Sequence, residues 1–106
     1  MKDKIRRERY FISVIDKDEK SVSCVGFVND YLIAQRVIQV NSGNILDNAK
    51  YAVVEEVKDG IFMYDENPKF FEVVQDEEGR FKGEHISTPT KYLLKTGIGF
   101  GININK

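Results

Sequence analysis

This sequence of 106 residues contains no tryptophan, only one cysteine and one histidine, and two prolines. With a single cysteine, Cys24, the chain can form neither an intramolecular disulfide nor a zinc site built on cysteines. A nucleophilic Cys–His pair would need Cys24 to meet the single histidine, His85, in the fold. We therefore predict no catalytic residue, no metal ion and no cofactor, and the chain is not expected to be an enzyme.

Long apolar runs are also missing, and the charged segment 1–9 lacks the apolar core of a signal peptide. We therefore predict no membrane association and a reducing, cytoplasmic setting. Leucine occurs four times and alanine three times, whereas valine and isoleucine occur eleven times each. Because branched side chains favour strands, this bias predicts a β or α+β fold, and the length allows one domain over residues 1–106.

Alternating apolar residues and turn signals predict seven strands. The Asp59-Gly60 pair is a strong hairpin signal, and Asn67-Pro68 marks a further turn. Cys24 is expected to be buried in the second strand. The predicted strands cover residues 9–16, 21–28, 50–58, 61–64, 69–75, 80–86 and 98–104.

One principal helix is predicted over residues 31–41 (YLIAQRVIQVN), with Asn29 or Asp30 as its N-cap. A short second helix is predicted over residues 89–96 (PTKYLLKT). The predicted order is β-β-α-β-β-β-β-α-β, an α+β fold with a mainly antiparallel sheet. On a helical wheel, the apolar half of the principal helix should face the sheet; it contains Ile33, Ala34, Val37, Ile38 and Val40.

The net charge of −1 hides an uneven distribution of charge along the chain. Residues 1–9 and 85–106 each carry a net charge of +3, and residues 55–84 carry −6. Aromatic residues concentrate in the acidic block. Adjacent Phe70 and Phe71 point to opposite sides of a strand, so one of them faces solvent or a partner unless a helix or the C-terminal segment covers that second face. These features predict an acidic, aromatic face that binds a protein, with the candidate residues Tyr64, Phe70, Phe71, Glu72, Glu77 and Glu78.

A second interpretation places a small-molecule site between the helix and the third strand. Glu55 and Glu56 lie among valines, and a buried carboxylate needs a partner, for which Arg36 is the candidate. Solvent exposure of the two glutamates is the alternative. Direct binding of nucleic acid is not expected, because the basic segment 1–9 is short and interrupted by acids.

The run from Gly26 through Gly60, followed by GIF, KFFEV, EEGRF and GIGFGI, resembles small proteins common in phages and bacterial mobile elements. The resemblance implies a phage or prophage accessory protein, several of which are stoichiometric antagonists of bacterial defence. It therefore favours a non-catalytic inhibitor that binds a host protein in the host cytoplasm. The alternative is a binder that sequesters a nucleotide-type signal as a homo-oligomeric sponge.

Overall fold

Five strands and one helix are present in residues 9–57 and 68–92, the part of the chain that this computed structural model describes. Neighbouring strands are antiparallel, and their order across the sheet is β2-β1-β3-β4-β5. The chain therefore has the predicted α+β fold. The elements are β1 (Arg9–Asp16), β2 (Val22–Val28), α1 (Tyr31–Gln39), β3 (Ala49–Val57), β4 (Lys69–Gln75) and β5 (Phe81–Ile86).

The predicted strands agree closely with the observed ones, since β1 and β4 have the predicted bounds and β2 and β5 begin one residue later. Strand β3 begins one residue earlier than predicted, and residue 58, its predicted end, lies outside the described residues. The predicted strands over residues 61–64 and 98–104 lie outside the described residues. The second helix is predicted over residues 89–96. A 3-10 turn is present there at Thr90–Tyr92, and residues 93–96 lie outside the described residues. No helix in the described part of the chain is long and apolar enough to cross a membrane.

Helix α1 begins where the sequence predicts and ends two residues earlier. The Asp30 side chain accepts a hydrogen bond of 2.8 Å from the backbone N–H of Leu32, which satisfies one free donor of the first turn. The helix ends at Gln39 because Asn41 adopts a left-handed conformation with φ of 53°. It connects β2 to β3, two parallel strands that have β1 between them.

One core lies between α1 and the sheet. Ala34 and Ile38 are its buried helix residues, and Phe71 is its largest sheet residue. The helix comes so close to β5 that a Cβ at Gly83 would overlap Cγ2 of Ile38. The full buried set of this core is Ile12, Ala34, Ile38, Leu46, Ala52, Val54 and Phe71.

A second core lies on the opposite face of the sheet. Phe70 stacks on Tyr92 with a centroid distance of 5.4 Å, and Tyr51 contacts both rings edge-on. The Tyr92 hydroxyl donates a 3.0 Å hydrogen bond to Glu19. Burial and this carboxylate together raise the pKa of Tyr92 well above its usual range. The sheet is therefore covered on both faces near β3 and β4.

Candidate protein-binding surfaces

The two phenylalanines of β4 are not part of an exposed binding face, so the prediction is wrong for both. Phe70 and Phe71 both have 0% exposure. The rings do point to opposite faces of the sheet, as the sequence predicts, but each face is covered by a core. Neither ring is therefore available to a partner, and Tyr64 lies outside the described residues.

The turn between β4 and β5 uses part of its acidic charge for its own structure. Asp76 Oδ1 accepts hydrogen bonds from the backbone N–H groups of Glu78, at 2.8 Å, and Arg80, at 2.9 Å. Asp76 Oδ2 accepts from Arg80 Nε at 3.1 Å, and the Arg80 guanidinium also pairs with Glu78. The hydrogen bond from the Arg80 backbone is the largest cause that holds the pKa of Asp76 below its usual value.

Other glutamates of the hairpin form an exposed surface. Glu72 on β4 and Glu84 on β5 stand directly opposite each other on the second face of the sheet. Like charges in this position repel, and Lys82 offsets part of the repulsion at 3.8 Å from Glu84. We call Glu72, Glu77 and Glu84 the acidic surface. Glu77 and Glu84 of this surface also line an open groove of about 570 Å³, together with Val74, Lys82 and other residues of the turn.

The predicted pairing of Arg36 with Glu55 or Glu56 is not formed in the described residues. Glu55 is 2% exposed and lies on the face of the sheet opposite α1, so the sheet separates it from Arg36. Glu56 lies on the helix side and accepts a 3.4 Å hydrogen bond from the hydroxyl of Tyr10. The small-molecule cleft predicted between these residues is therefore wrong.

The single cysteine, Cys24, lies on β2 and the single histidine, His85, on β5; these are the two edge strands of the described sheet. Cys24 is exposed, and the prediction of a buried thiol is wrong because an edge strand lacks a neighbour on one side. The His85 ring packs edge-on against Phe71 at 5.3 Å. With the width of the sheet between them, these two side chains do not form a nucleophile–base pair.

Helix α1 carries large apolar side chains on the side that faces away from the sheet. Leu32 is 68% exposed and Ile33 52%, and Val40, the C-cap residue that follows the helix, is 51% exposed. The prediction that Ile33 and Val40 belong to the core side is therefore wrong. The buried side of the helix is narrow, with Ala34 and Ile38 at its centre. We call the three exposed residues, together with the Arg36 that they surround, the outer patch.

Two further apolar residues are exposed on the edge strand β2, namely Val25 at 43% and Phe27 at 54%. Phe27 has contacts within the chain, because its ring lies 5.3 Å from the Phe11 ring and 5.5 Å from the Arg9 guanidinium. Val25 is the extra residue of a bulge, since Gly26 pairs with Ile12 and Cys24 with Ser13. A bulge interrupts an edge and protects it from pairing with another strand.

Comparison of the chain with protein-family models, curated proteins and solved structures gave no match in any of the three. The role of these surfaces is therefore inferred from their own chemistry. The resemblance to phage accessory proteins stays a prediction.

Proposed function

We propose that this chain is a non-catalytic binding protein that acts by forming a stoichiometric complex with another protein. The observation that carries the proposal is the outer patch, where Leu32 and Ile33 of one short helix and its C-cap residue Val40 expose large apolar side chains. If the chain is encoded by a phage or mobile element, the partner is a host protein in the cytoplasm, and binding inhibits it.

The contacts of the described residues give the outer patch no role in stabilising the fold. Ala34 and Ile38 anchor the helix to the sheet, and Tyr31 and Val37 pack beside them. On a surface helix, the side that faces away from the core normally carries polar residues. Covering a side chain of the size of Leu32 would contribute up to about 1.5–3 kcal/mol to an interface.

The spacing of the patch matches a helix that docks into a groove. Leu32, Arg36 and Val40 follow each other at intervals of four residues, and Ile33 lies beside them. Side chains three and four residues apart share one helix face, which is how amphipathic helices present their anchors to a partner. Polar Gln35 and Gln39 border this stripe, as the rim of an interface does.

The acidic surface has a secondary role in this proposal. Glu72, Glu77 and Glu84 are exposed and lie on the hairpin, away from α1. Exposed charges steer a basic partner toward the chain and raise the association rate more than they raise affinity. Salt screens this attraction, so the association rate should fall as the ionic strength rises.

The test compares three immobilised proteins in an extract of the source cells. They are the wild type, the variant Leu32→Glu/Val40→Glu, and the control variant Glu72→Lys/Glu77→Lys. Each variant changes two exposed side chains, so circular dichroism should report the same fold. We expect one protein to bind the wild type in a 1:1 complex by native mass spectrometry and to bind the helix variant roughly tenfold more weakly or worse.

The hairpin variant should retain that protein at moderate salt, because steering charges contribute little to the stability of the complex. Equal retention by the helix variant would contradict the proposal. Selective loss from the hairpin variant would place the binding site on the acidic surface instead. If no protein binds the wild type in a stoichiometric complex, the chain is not a binder of this kind.

A further inference from the structure

We infer that the outer patch fits an apolar groove that carries a carboxylate opposite Arg36, and that the groove belongs to a protein other than a second copy of this chain. This inference rests on the proposed function and identifies the chemistry of the partner. It follows from the position of Arg36 within the patch.

Arg36 lies at the centre of the exposed apolar residues. Leu32 and Ile33 precede it by four and three residues, and Val40 follows it by four, so all three are its neighbours on the helix surface. Arg36 is also the one charged residue in the sequence of α1, YLIAQRVIQ. A partner that covers the three apolar side chains must therefore cover the guanidinium as well.

A second copy of this chain is a poor occupant of the patch. In a twofold dimer the same patch is used by both subunits. Because Arg36 is midway between Leu32 and Val40, any symmetric packing that covers the whole patch brings two Arg36 side chains together, whether the helices run parallel or antiparallel. Two guanidinium groups at the centre of an apolar interface repel each other in a medium of low dielectric constant.

A carboxylate is the group that the covered arginine requires. A charge that is removed from water needs an opposite charge and hydrogen-bond partners. Within the described residues, no carboxylate forms an ion pair with Arg36, so its guanidinium is available to a partner. A carboxylate matches the guanidinium well because it accepts two parallel hydrogen bonds.

The test uses zero-length cross-linking of the full chain. In the variant Arg36→Lys, the charge is kept and an amine is placed at the centre of the patch. A water-soluble carbodiimide joins an amine only to a carboxylate that touches it. The reaction is carried out in the extract of the source cells, and the control is the variant Gln35→Lys, which places an amine on the rim of the same helix.

We expect peptides in which the lysine introduced at position 36 is joined to an aspartate or glutamate of one other protein. The control lysine at position 35 should give few or none of these products. We also expect Arg36→Gln to weaken the complex by roughly 30-fold or more, because the carboxylate of the partner would remain buried without its counter-charge.

Three results would overturn the inference, and each differs from a failure of the proposed function. Cross-links to a second copy of this chain would identify a homodimer. Binding that persists without cross-links at position 36 would exclude the carboxylate, as would full affinity of the Arg36→Gln variant. If the wild type binds no protein at all, the proposed function itself is wrong, and so is this identification of the partner.

Discussion

In the β4–β5 hairpin, charged side chains hold the turn together. Asp76 accepts hydrogen bonds from Glu78 and Arg80, and Arg80 returns an ion pair to Glu78. On the outer side of α1, by contrast, Leu32 and Val40 touch no core of the described structure. The conspicuous charge pattern is thus explained in part by turn chemistry, whereas exposed apolar residues that the described part of the fold does not use require another explanation.

The largest expected effect is a difference in stability between substitutions on the two sides of α1. Ile38→Ala removes a fully buried side chain from the core and should lower the free energy of unfolding by about 2–5 kcal/mol. Ile33→Ala removes the same atoms from the outer patch and should change it by less than about 0.5 kcal/mol. Urea denaturation of both variants measures the difference. Equal losses of unfolding free energy in the two variants would mean that Ile33 belongs to the core and not to the outer patch.

A smaller effect should appear in the hairpin and should depend on pH. Because hydrogen bonds hold the pKa of folded Asp76 below its ordinary value of 3.8, the stability that they contribute is present above that value. This contribution is lost as the pH falls through the folded pKa. Asp76→Asn should therefore be less stable than the wild type near neutral pH, and the difference should shrink as the medium becomes acidic.

Urea midpoints measured from neutral pH to about pH 3 test this dependence, with Glu77→Gln as the control. Glu77 neighbours Asp76 but makes none of the turn's hydrogen bonds among the described residues. Its substitution should leave the midpoint nearly unchanged at every pH. If the urea midpoints of Asp76→Asn and the wild type differ by the same amount at every pH, the charge of the carboxylate does not stabilise the turn.

The sequence predicts the strands and the start of α1 well, because those signals are local. Alternation defines β1 and β4, and the Asp30 cap acts within three residues of itself. The helical wheel was wrong about Ile33 and Val40 because it gives angles around the helix but not the width of the surface that the sheet covers. A narrow contact centred on Ala34 and Ile38, close to Gly83, leaves Ile33 and Val40 exposed.

The binding residues were harder to predict because their exposure depends on distant segments. Phe70 and Phe71 are both buried because cores form on both faces of β4. Cys24 is exposed because β2 is at an edge of the described sheet, and strand order is not visible in a local pattern. Leu32 is apolar but is not among the residues of the apolar half of the helical wheel, so it is the one signal in the sequence that points to the outer patch.

The most direct test of the central claim is site-specific photo-cross-linking in intact source cells. A benzophenone amino acid replaces Ile33 in one protein and Glu77 in another, so that one probe lies on the outer patch and the other on the hairpin. We expect one discrete adduct with a different protein from position 33, and none of comparable yield from position 77. An adduct that forms only from position 77, or a position-33 adduct between two copies of this chain, would contradict it.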